Sequence, residues 1–555
     1  MKANRRQNEV WVLIFLLGLG YFLFFHNLSV RYLWNPCEDE YVLVNREMVE
    51  DGHWFYPTAN GQPYSIKPPL FNWIGSLISV FYGEVNVFTS RLPSPFAALI
   101  VMFLIYYFGK YLFGPRAGLI SAMVLATSPL YIRYAQWIQI NMIATMLLSF
   151  TLVLFYIGYK EPRRRRWAYL LMYVAMGLGT LNMGPVNLVM PVIVIGIYLF
   201  LVKDIKHISQ LRIGWGMLIY LLIVAPWYVA VSLKGGYAND LIITSNLTRF
   251  FGDFTHSKPF YHYIASTPPY FLPWSLFFPV AFYLCFSEKT REDRKLLLFP
   301  FVWTSSLFVF FSLSICKRSG YMLVIFPALA LLVGYMLDRG LLYWKDSLFW
   351  RKALLWPTYT VLVGAGLIAV GLPVYCWIKA PDWFGLVLPL AIMLLVGVAV
   401  ASVFLHKRRF FEALITCVIV IAAVIAYGSG PVIAKANNFI SAKSFCLKVK
   451  ERIPEGETLK MFHFYLAVYP YYTERFVEVL WTPPQLLDWF RQNKRVYAIS
   501  KEEDYEEIAD TFEVPIYVIE RQWVRKRYML LLSNQPESND GREEHAPEDS
   551  LQTEG

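Results

Sequence analysis

The chain has 555 residues, of which 57% are hydrophobic and 16% charged, against the roughly 25% charged residues of an ordinary soluble domain. With a mean hydropathy of +0.42, this composition excludes a water-soluble globular protein and predicts a mainly α, polytopic membrane protein. The net charge of +11 does not point to nucleic acid, because the basic residues lie in short runs between apolar spans and form no stripe on a soluble domain.

The six cysteines, Cys37, Cys285, Cys316, Cys376, Cys417 and Cys446, show no paired metal spacing and fall mostly in or beside apolar stretches, so they read as packing residues. The basic start followed by Trp11 to Phe25 has no small-residue cleavage site after it and is read as a retained first span. At about 20 apolar residues per crossing, spans are predicted near 9–28, 91–112, 117–132, 141–159, 167–182, 184–203, 212–232, 270–286, 297–314, 319–337, 353–376, 384–405 and 410–430, thirteen in all. Alternating through them puts Arg5-Arg6, Lys110 with Arg116, Lys160 with Arg163 to Arg166, Lys203 to Arg212, Lys289 to Lys295, Arg339 to Lys352 and Lys407 to Arg409 on the N-terminal side. The positive-inside rule makes that side cytoplasmic, so the 29–90 and 233–269 loops and everything after about 431 are expected to face the exterior.

The first outer loop is rich in pattern. Tyr41 to Val49 reads as an amphipathic helix, Asp51-Gly52 ends it, Asn60-Gly61 signals a tight turn, and Pro68-Pro69 opens a further apolar segment. Beyond 431 the composition becomes mixed. Helices are expected over 441–452 and 504–512, with strands over 458–464, 495–499, 514–520 and 527–532, making a small α/β domain over 431–534. From 535 to 555 the chain is acidic and poor in large aliphatics, the composition of a disordered tail.

Chemistry concentrates in the outer loops. Glu38-Asp39-Glu40, just after the first span, is placed to act as a general base or to hold a hard cation. Lys67, between Ile66 and two prolines, presents an ammonium on a stiff backbone, suited to a phosphate. Lys317 and Arg318 stand in a very short outer loop against the positive-inside trend, as cations do when they meet an anionic ligand or an intramembrane partner. His256, Arg133, Asn141 and Arg91 are candidates for the same cavity.

The order of these features resembles a known family. Arg46-Glu47-Met48, Gly52-His53-Trp54, Pro57, Asn60-Gly61, Pro63-Tyr64, Lys67-Pro68-Pro69-Leu70, Trp73 and Arg91-Leu92-Pro93-Ser94 are similar to the bacterial polyprenyl-phosphate-sugar glycosyltransferases, and most to the 4-amino-4-deoxy-L-arabinose lipid A transferases and their protein O-mannosyltransferase relatives. The likeness continues through Gly184-Pro185, Pro226-Trp227-Tyr228, Asn246-Leu247, Arg249-Phe250, His256, Pro273-Trp274, Phe311 to Ser314, Lys317 and Gly320-Tyr321, over about residues 10–430. It implies a GT-C fold over 1–430, in the bacterial inner membrane, with an exoplasmic active site. It further implies transfer of a sugar from undecaprenyl phosphate to lipid A, another envelope glycan or a protein. The acidic first-loop pair would then be catalytic, Lys67, Lys317 and Arg318 would bind the donor phosphate, and Tyr41 and Tyr321 would join the substrate cavity. The implied enzyme is a monomer among membrane lipids, for which a divalent cation is possible but not expected.

Two departures stand out. Counted back from Arg46 without a gap, the family's aspartate falls on Cys37 and its glutamate on Glu38; by identity Asp39-Glu40 is the pair, after a two-residue shift. Asn141 stands where the family commonly has an aspartate, and an amide cannot act as a base near neutral pH. Asp39 and Glu38 are the favoured acids. A lipid-linked glycan transporter and a catalytically degenerate GT-C scaffold are the alternatives at this point.

Overall fold

The computed structural model describes residues 2–34, 38–233, 258–345, 347–509 and 514–536. Cys37, Asn246, Arg249 and His256 lie outside them. The chain forms two compact units, Met1–Asn437 and Asn438–Gly555.

The first unit is helical. Among the described residues nine helices are long and apolar enough to cross a membrane: Gln7–Phe25, Val87–Phe113, Asn141–Lys160, Ile213–Leu233, Arg294–Leu313, Ser319–Tyr343, Leu348–Lys379, Pro381–His406 and Phe410–Ile440. Each corresponds to one of the thirteen predicted spans. The other four are not among these nine helices. The 184–203 and 270–286 predictions fall on the shorter apolar helices Val186–Leu201 and Trp274–Leu284, and 167–182 falls on the helix Arg165–Met183. The 117–132 prediction is corrected: Pro115–Ala126 and Pro129–Ala135 are separate helices, because Pro129 can open a helix but cannot donate the amide that would continue one. The Leu70–Tyr82 helix is a further short apolar helix, inside the 29–90 loop.

The core of this unit surrounds Phe326–Tyr343, which is buried along most of its length. Small residues bring its neighbours close. A Cβ on Gly118 would lie 2.4 Å from the Tyr106 carbonyl oxygen, and one on Gly334 would lie 2.1 Å from Ser121 Oγ. These backbones therefore pack at separations that larger side chains would forbid, the usual way apolar spans associate.

The predicted amphipathic helix of the first loop is Glu38–Glu50, with its three acids in the first turn, where the helix dipole favours negative charge. It ends at Gly52, whose φ of 75° suits glycine. Asn60-Gly61 forms the predicted tight turn between β1 (Thr58–Ala59) and β2 (Gln62–Pro63), with φ of 57° and 70°. Glu47 locks that turn: its carboxylate accepts from Thr58 Oγ1 at 2.6 Å and from the Asn60 amide at 2.5 Å.

The second unit holds a five-stranded mixed sheet in the order β4-β3-β5-β7-β6, built from β3 (Leu459–Phe462), β4 (Val477–Leu480), β5 (Tyr497–Lys501), β6 (Tyr517–Val524) and β7 (Arg527–Ser533). β3 pairs in parallel with β4 and β5, while β7 pairs antiparallel with β5 and β6. Phe462, Leu480, Leu486, Trp489, Phe490, Ala498, Leu530 and Leu532 form its core. β4 and the helix Pro483–Phe490 were not expected from the sequence. The predicted 504–512 helix is the shorter Glu502–Glu506, and residues 510–513 lie outside the described part.

Candidate functional site

Two helices of the 29–90 loop are stitched together by buried amides. Asn72 Nδ2 donates to the Tyr41 carbonyl at 3.1 Å and to Asn45 Oδ1 at 2.8 Å, and Asn45 Nδ2 donates to Ser90 Oγ at 3.0 Å. Asn72 lies one turn into Leu70–Tyr82, and Asn45 lies midway along Glu38–Glu50. Gly75 makes the approach possible, since a Cβ there would sit 2.6 Å from Asn45 Nδ2. The same helix pair thus carries the acidic turn at its start and Lys67 just before Pro68 and Pro69. Lys67 is half-buried, while both prolines are buried. Tyr41, also buried, meets Phe71 edge to face at 5.2 Å between ring centroids.

Glu38 is fully buried and committed to partners. Its Oε1 accepts from Arg31 Nη2 at 2.9 Å and from the Ile138 amide at 3.0 Å, with Arg91 Nε at 3.5 Å. Arg91, expected in the substrate cavity, is instead wholly enclosed, its guanidinium donating to the carbonyls of Leu28, Arg31 and Tyr32. Asp39 is also buried, and its Oδ1 accepts the Glu40 amide at 3.1 Å; Glu40 is half-buried.

The basic loop forms a second focus. Lys317 is buried and its ammonium donates to the Ser314 carbonyl. Burial lowers its pKa from the ordinary lysine value, as desolvation does to any amine. Tyr263 Oη donates to the Arg318 carbonyl at 3.0 Å, Tyr134 Oη lies 3.3 Å from Ser319 Oγ, and Tyr321 stacks on Phe311 at 5.2 Å. His262 has its pKa lowered by burial and by the charges of Lys258 and Lys317, which places it in the same electrostatic neighbourhood.

Asn141 joins the two foci. A Cβ on Gly320 would fall 1.8 Å from Asn141 Nδ2 and 2.7 Å from Tyr134 Oη, so Asn141 lies directly on the loop that carries Lys317 and Arg318. Three residues earlier, the Ile138 amide holds Glu38. Three residues of extended chain span at most about 11 Å, so the acidic turn and the basic loop are tied to opposite ends of one short segment. Gly320→Ala is expected to cost about 1–3 kcal/mol by overpacking. Adding Asn141→Ala is expected to return most of it, because the clash is with a side-chain amide; thermal unfolding of the two single variants and the double variant checks this.

Of the residues singled out from the sequence, Glu38, Asp39, Glu40 and Tyr41 lie on the acidic turn and its helix, Lys317, Arg318 and Tyr321 lie on the basic loop with Asn141 against it, and Lys67 precedes the second helix of the pair; Arg31, Asn72, Tyr134, Tyr263 and the environment of His262 were not singled out. Arg133 lies beside the acidic focus, its guanidinium 4.0 Å from the centre of the Trp137 ring that Arg31 also approaches, at 5.3 Å. As to metals, among the described residues three ligand atoms converge only at Glu47, Asp51 and His53. Glu47 is already spent on the hairpin turn and His53 Nδ1 lies 2.7 Å from Thr58 Oγ1.

The family model described as dolichyl-phosphate-mannose-protein mannosyltransferase matches residues 66–229, from the lysine-proline-proline element to Val229. Among solved structures, ArnT from Cupriavidus metallidurans bound to undecaprenyl phosphate superposes with a TM-score of 0.81 at 21% identity, covering 96% of this chain and 99% of that one. The chain has the GT-C fold. The same GT-C architecture extends, more distantly, to the archaeal oligosaccharyltransferase AglB from Archaeoglobus fulgidus, with a TM-score of 0.52 at 12% identity over 90% of this chain and 70% of the other. In sequence, the chain is 31% identical over 324 residues to an undecaprenyl phosphate-alpha-4-amino-4-deoxy-L-arabinose arabinosyl transferase of Aeromonas hydrophila, covering 56% of this chain and 58% of the relative. An uncharacterized protein of Aquifex aeolicus is 28% identical over 57% of this chain and 62% of its own length. The chain therefore spans about six tenths of the length of these curated relatives. It is a multi-pass membrane protein that resembles polyprenyl-phosphate-dependent GT-C glycosyltransferases.

Proposed function

We propose that this protein is a membrane glycosyltransferase that moves a sugar from undecaprenyl phosphate to an extracytoplasmic acceptor, with lipid A the favoured acceptor class and other envelope glycans or proteins as alternatives. The observation that carries the reading is the Ile138–Asn141 segment, which ties the acidic turn at one end and the Lys317–Arg318 loop at the other. Sugar transfer from a lipid phosphate needs these two chemistries close together. Cations must hold the departing phosphate as its charge develops, and a carboxylate must orient or deprotonate the attacking hydroxyl.

In this reading Lys67, Lys317 and Arg318 bind the donor phosphate, Asp39 acts on the acceptor, and Glu38 and Arg91 hold the acidic turn in place. Glu40, Tyr41, Tyr321 and Asn141 shape the cavity. The asymmetry of basic residues between the spans supports an exterior-facing site in a bacterial inner membrane. The likeness to the arabinosyl transferases supports the donor and acceptor classes. If the acceptor is itself a phosphate, it is already anionic near neutral pH and needs positioning more than a base, which is compatible with an asparagine at 141.

Lys67→Ala is expected to reduce transfer at limiting donor by tenfold or more, one charge-assisted contact being worth about 1.5–3 kcal/mol, while leaving the unfolding temperature unchanged. Transfer of radiolabelled sugar from undecaprenyl phosphate in reconstituted vesicles measures it. Unchanged turnover would remove Lys67 from the donor site, and absence of transfer by the unaltered chain to any envelope acceptor would favour a degenerate scaffold.

A further inference from the structure

A cavity of about 730 Å³ opens beside the acidic turn, with which it shares Arg31, the partner of Glu38, and reaches away from the Lys317–Arg318 loop. Its walls are the middle of Leu348–Lys379, at Thr360 to Ile368, with Leu394 to Val398 of the next helix and Cys417 to Ile425 of the one after. Along that last helix the lining runs from Cys417 to Ile425, eight rises of 1.5 Å or about 12 Å, close to the roughly 15 Å hydrocarbon depth of one bilayer leaflet. The lining is almost wholly apolar except at one end, where Arg31, Arg133 and Gln136 stand with Trp34 and Trp137. Lys67, Lys317 and Arg318 do not line it.

The polar end carries an excess of positive charge. The one carboxylate within ion-pair distance of Arg31 among the described residues is Glu38, and Glu38 is shared with Arg91. Arg31 is 8% exposed, and its buried Nη1 has no hydrogen-bond partner among the described residues. Arg133 is exposed, stacks on Trp137 and has no acidic partner among the described residues. A buried guanidinium nitrogen left without an acceptor is costly, and an anion at the mouth would satisfy it.

The geometry points to a binding site for one anionic glycerophospholipid of the bilayer, its phosphate met by Arg31 and Arg133 beside Trp137 and an acyl chain along the three apolar helices, with Lys67, Lys317 and Arg318 outside it. An apolar shaft about one leaflet deep with a doubly cationic, tryptophan-flanked mouth matches a tail and an anionic head group, since tryptophan favours the membrane interface and guanidinium pairs with phosphate in bidentate fashion. The inference does not depend on the proposed transfer reaction, because its readout is lipid binding alone.

Native mass spectrometry of the full chain, delipidated in detergent and then offered equal concentrations of dioleoyl phosphatidylglycerol and dioleoyl phosphatidylcholine, tests it. The expected result is one retained phosphatidylglycerol per chain, preferred about tenfold, the worth of one charge-assisted contact. Arg133→Gln is expected to bring that preference close to even. Gly364→Phe is expected to lower the occupancy of both lipids, because Gly364 lines the cavity and a Cβ there meets nothing within 4 Å. Ala365→Leu, on the same wall, serves as a second filler should the first variant fail to fold. Equal retention of the two lipids by the unaltered chain, an unchanged preference in Arg133→Gln, full occupancy in a folded filler variant, or one-for-one displacement of phosphatidylglycerol by undecaprenyl phosphate would each overturn the assignment, the last by making the cavity part of the donor site.

Discussion

Arg91→Ala is expected to be the most destabilising single change in the transmembrane unit, lowering stability by about 3–5 kcal/mol, the range for breaking a buried ion pair by removing one partner. Arg91 is fully buried, and its guanidinium donates to three carbonyls, those of Leu28, Arg31 and Tyr32, at the point where the chain leaves the first span. Alanine leaves all three without that donor and removes one of the two cations beside Glu38. The carbonyls account for most of the effect, because an ion pair measured against an apolar replacement often contributes little by itself, whereas a stranded buried acceptor costs its full desolvation. Arg91→Lys is expected to recover only part of the loss, since an ammonium cannot reproduce the planar fork that reaches several acceptors at once. Thermal unfolding in detergent measures both variants. An Arg91→Ala midpoint equal to that of the unaltered chain would show that the first-loop anchor rests on something else.

That anchor shows where sequence reading succeeds and where it stops. The amphipathic helix, its glycine stop and the Asn60-Gly61 turn were legible because their causes are local: acids at a helix start, glycine at positive φ, and a two-residue turn that needs left-handed residues. Long apolar runs gave the spans for the same reason. The division at Thr127 was hidden because hydrophobicity continues across it, although Pro129 marked the new helix start. β4 was missed because four residues between a charged turn and Trp481-Thr482-Pro483 are too few to show alternation.

The site was legible in residue type and not in pairing. Glu38 and Arg91 are 53 positions apart and Lys317 lies far beyond both, so nothing local indicates that Arg31 and Arg91 take the Glu38 carboxylate or that Asn141 lies against Gly320. An arginine near the start of a span reads the same whether it snorkels or is enclosed. Charge and motif order therefore identified the cast, and only long-range packing separates Glu38, held by two arginines, from its neighbour Asp39.

Adjacent carboxylates with different surroundings should respond differently to the same chemical change. Asp39→Asn is expected to lower transfer by a hundredfold to ten-thousandfold, the usual contribution of a general base, with little change in unfolding temperature. The substituted side chain keeps an oxygen able to accept the Glu40 amide as Oδ1 does now, so the local backbone retains its tie while the proton acceptor is lost. Glu38→Gln is expected to do the reverse. Its carbonyl oxygen still takes the Ile138 amide, but two enclosed guanidiniums lose their anion, so stability falls, and transfer falls only as far as the acidic turn is displaced. Single-turnover transfer from undecaprenyl-phosphate-linked sugar, measured beside unfolding temperature for both variants, separates the roles. A stable Glu38→Gln variant with transfer abolished, paired with an active Asp39→Asn, would exchange the two assignments and align the chain to its relatives without a gap. Full activity in both would take the acidic turn out of the reaction.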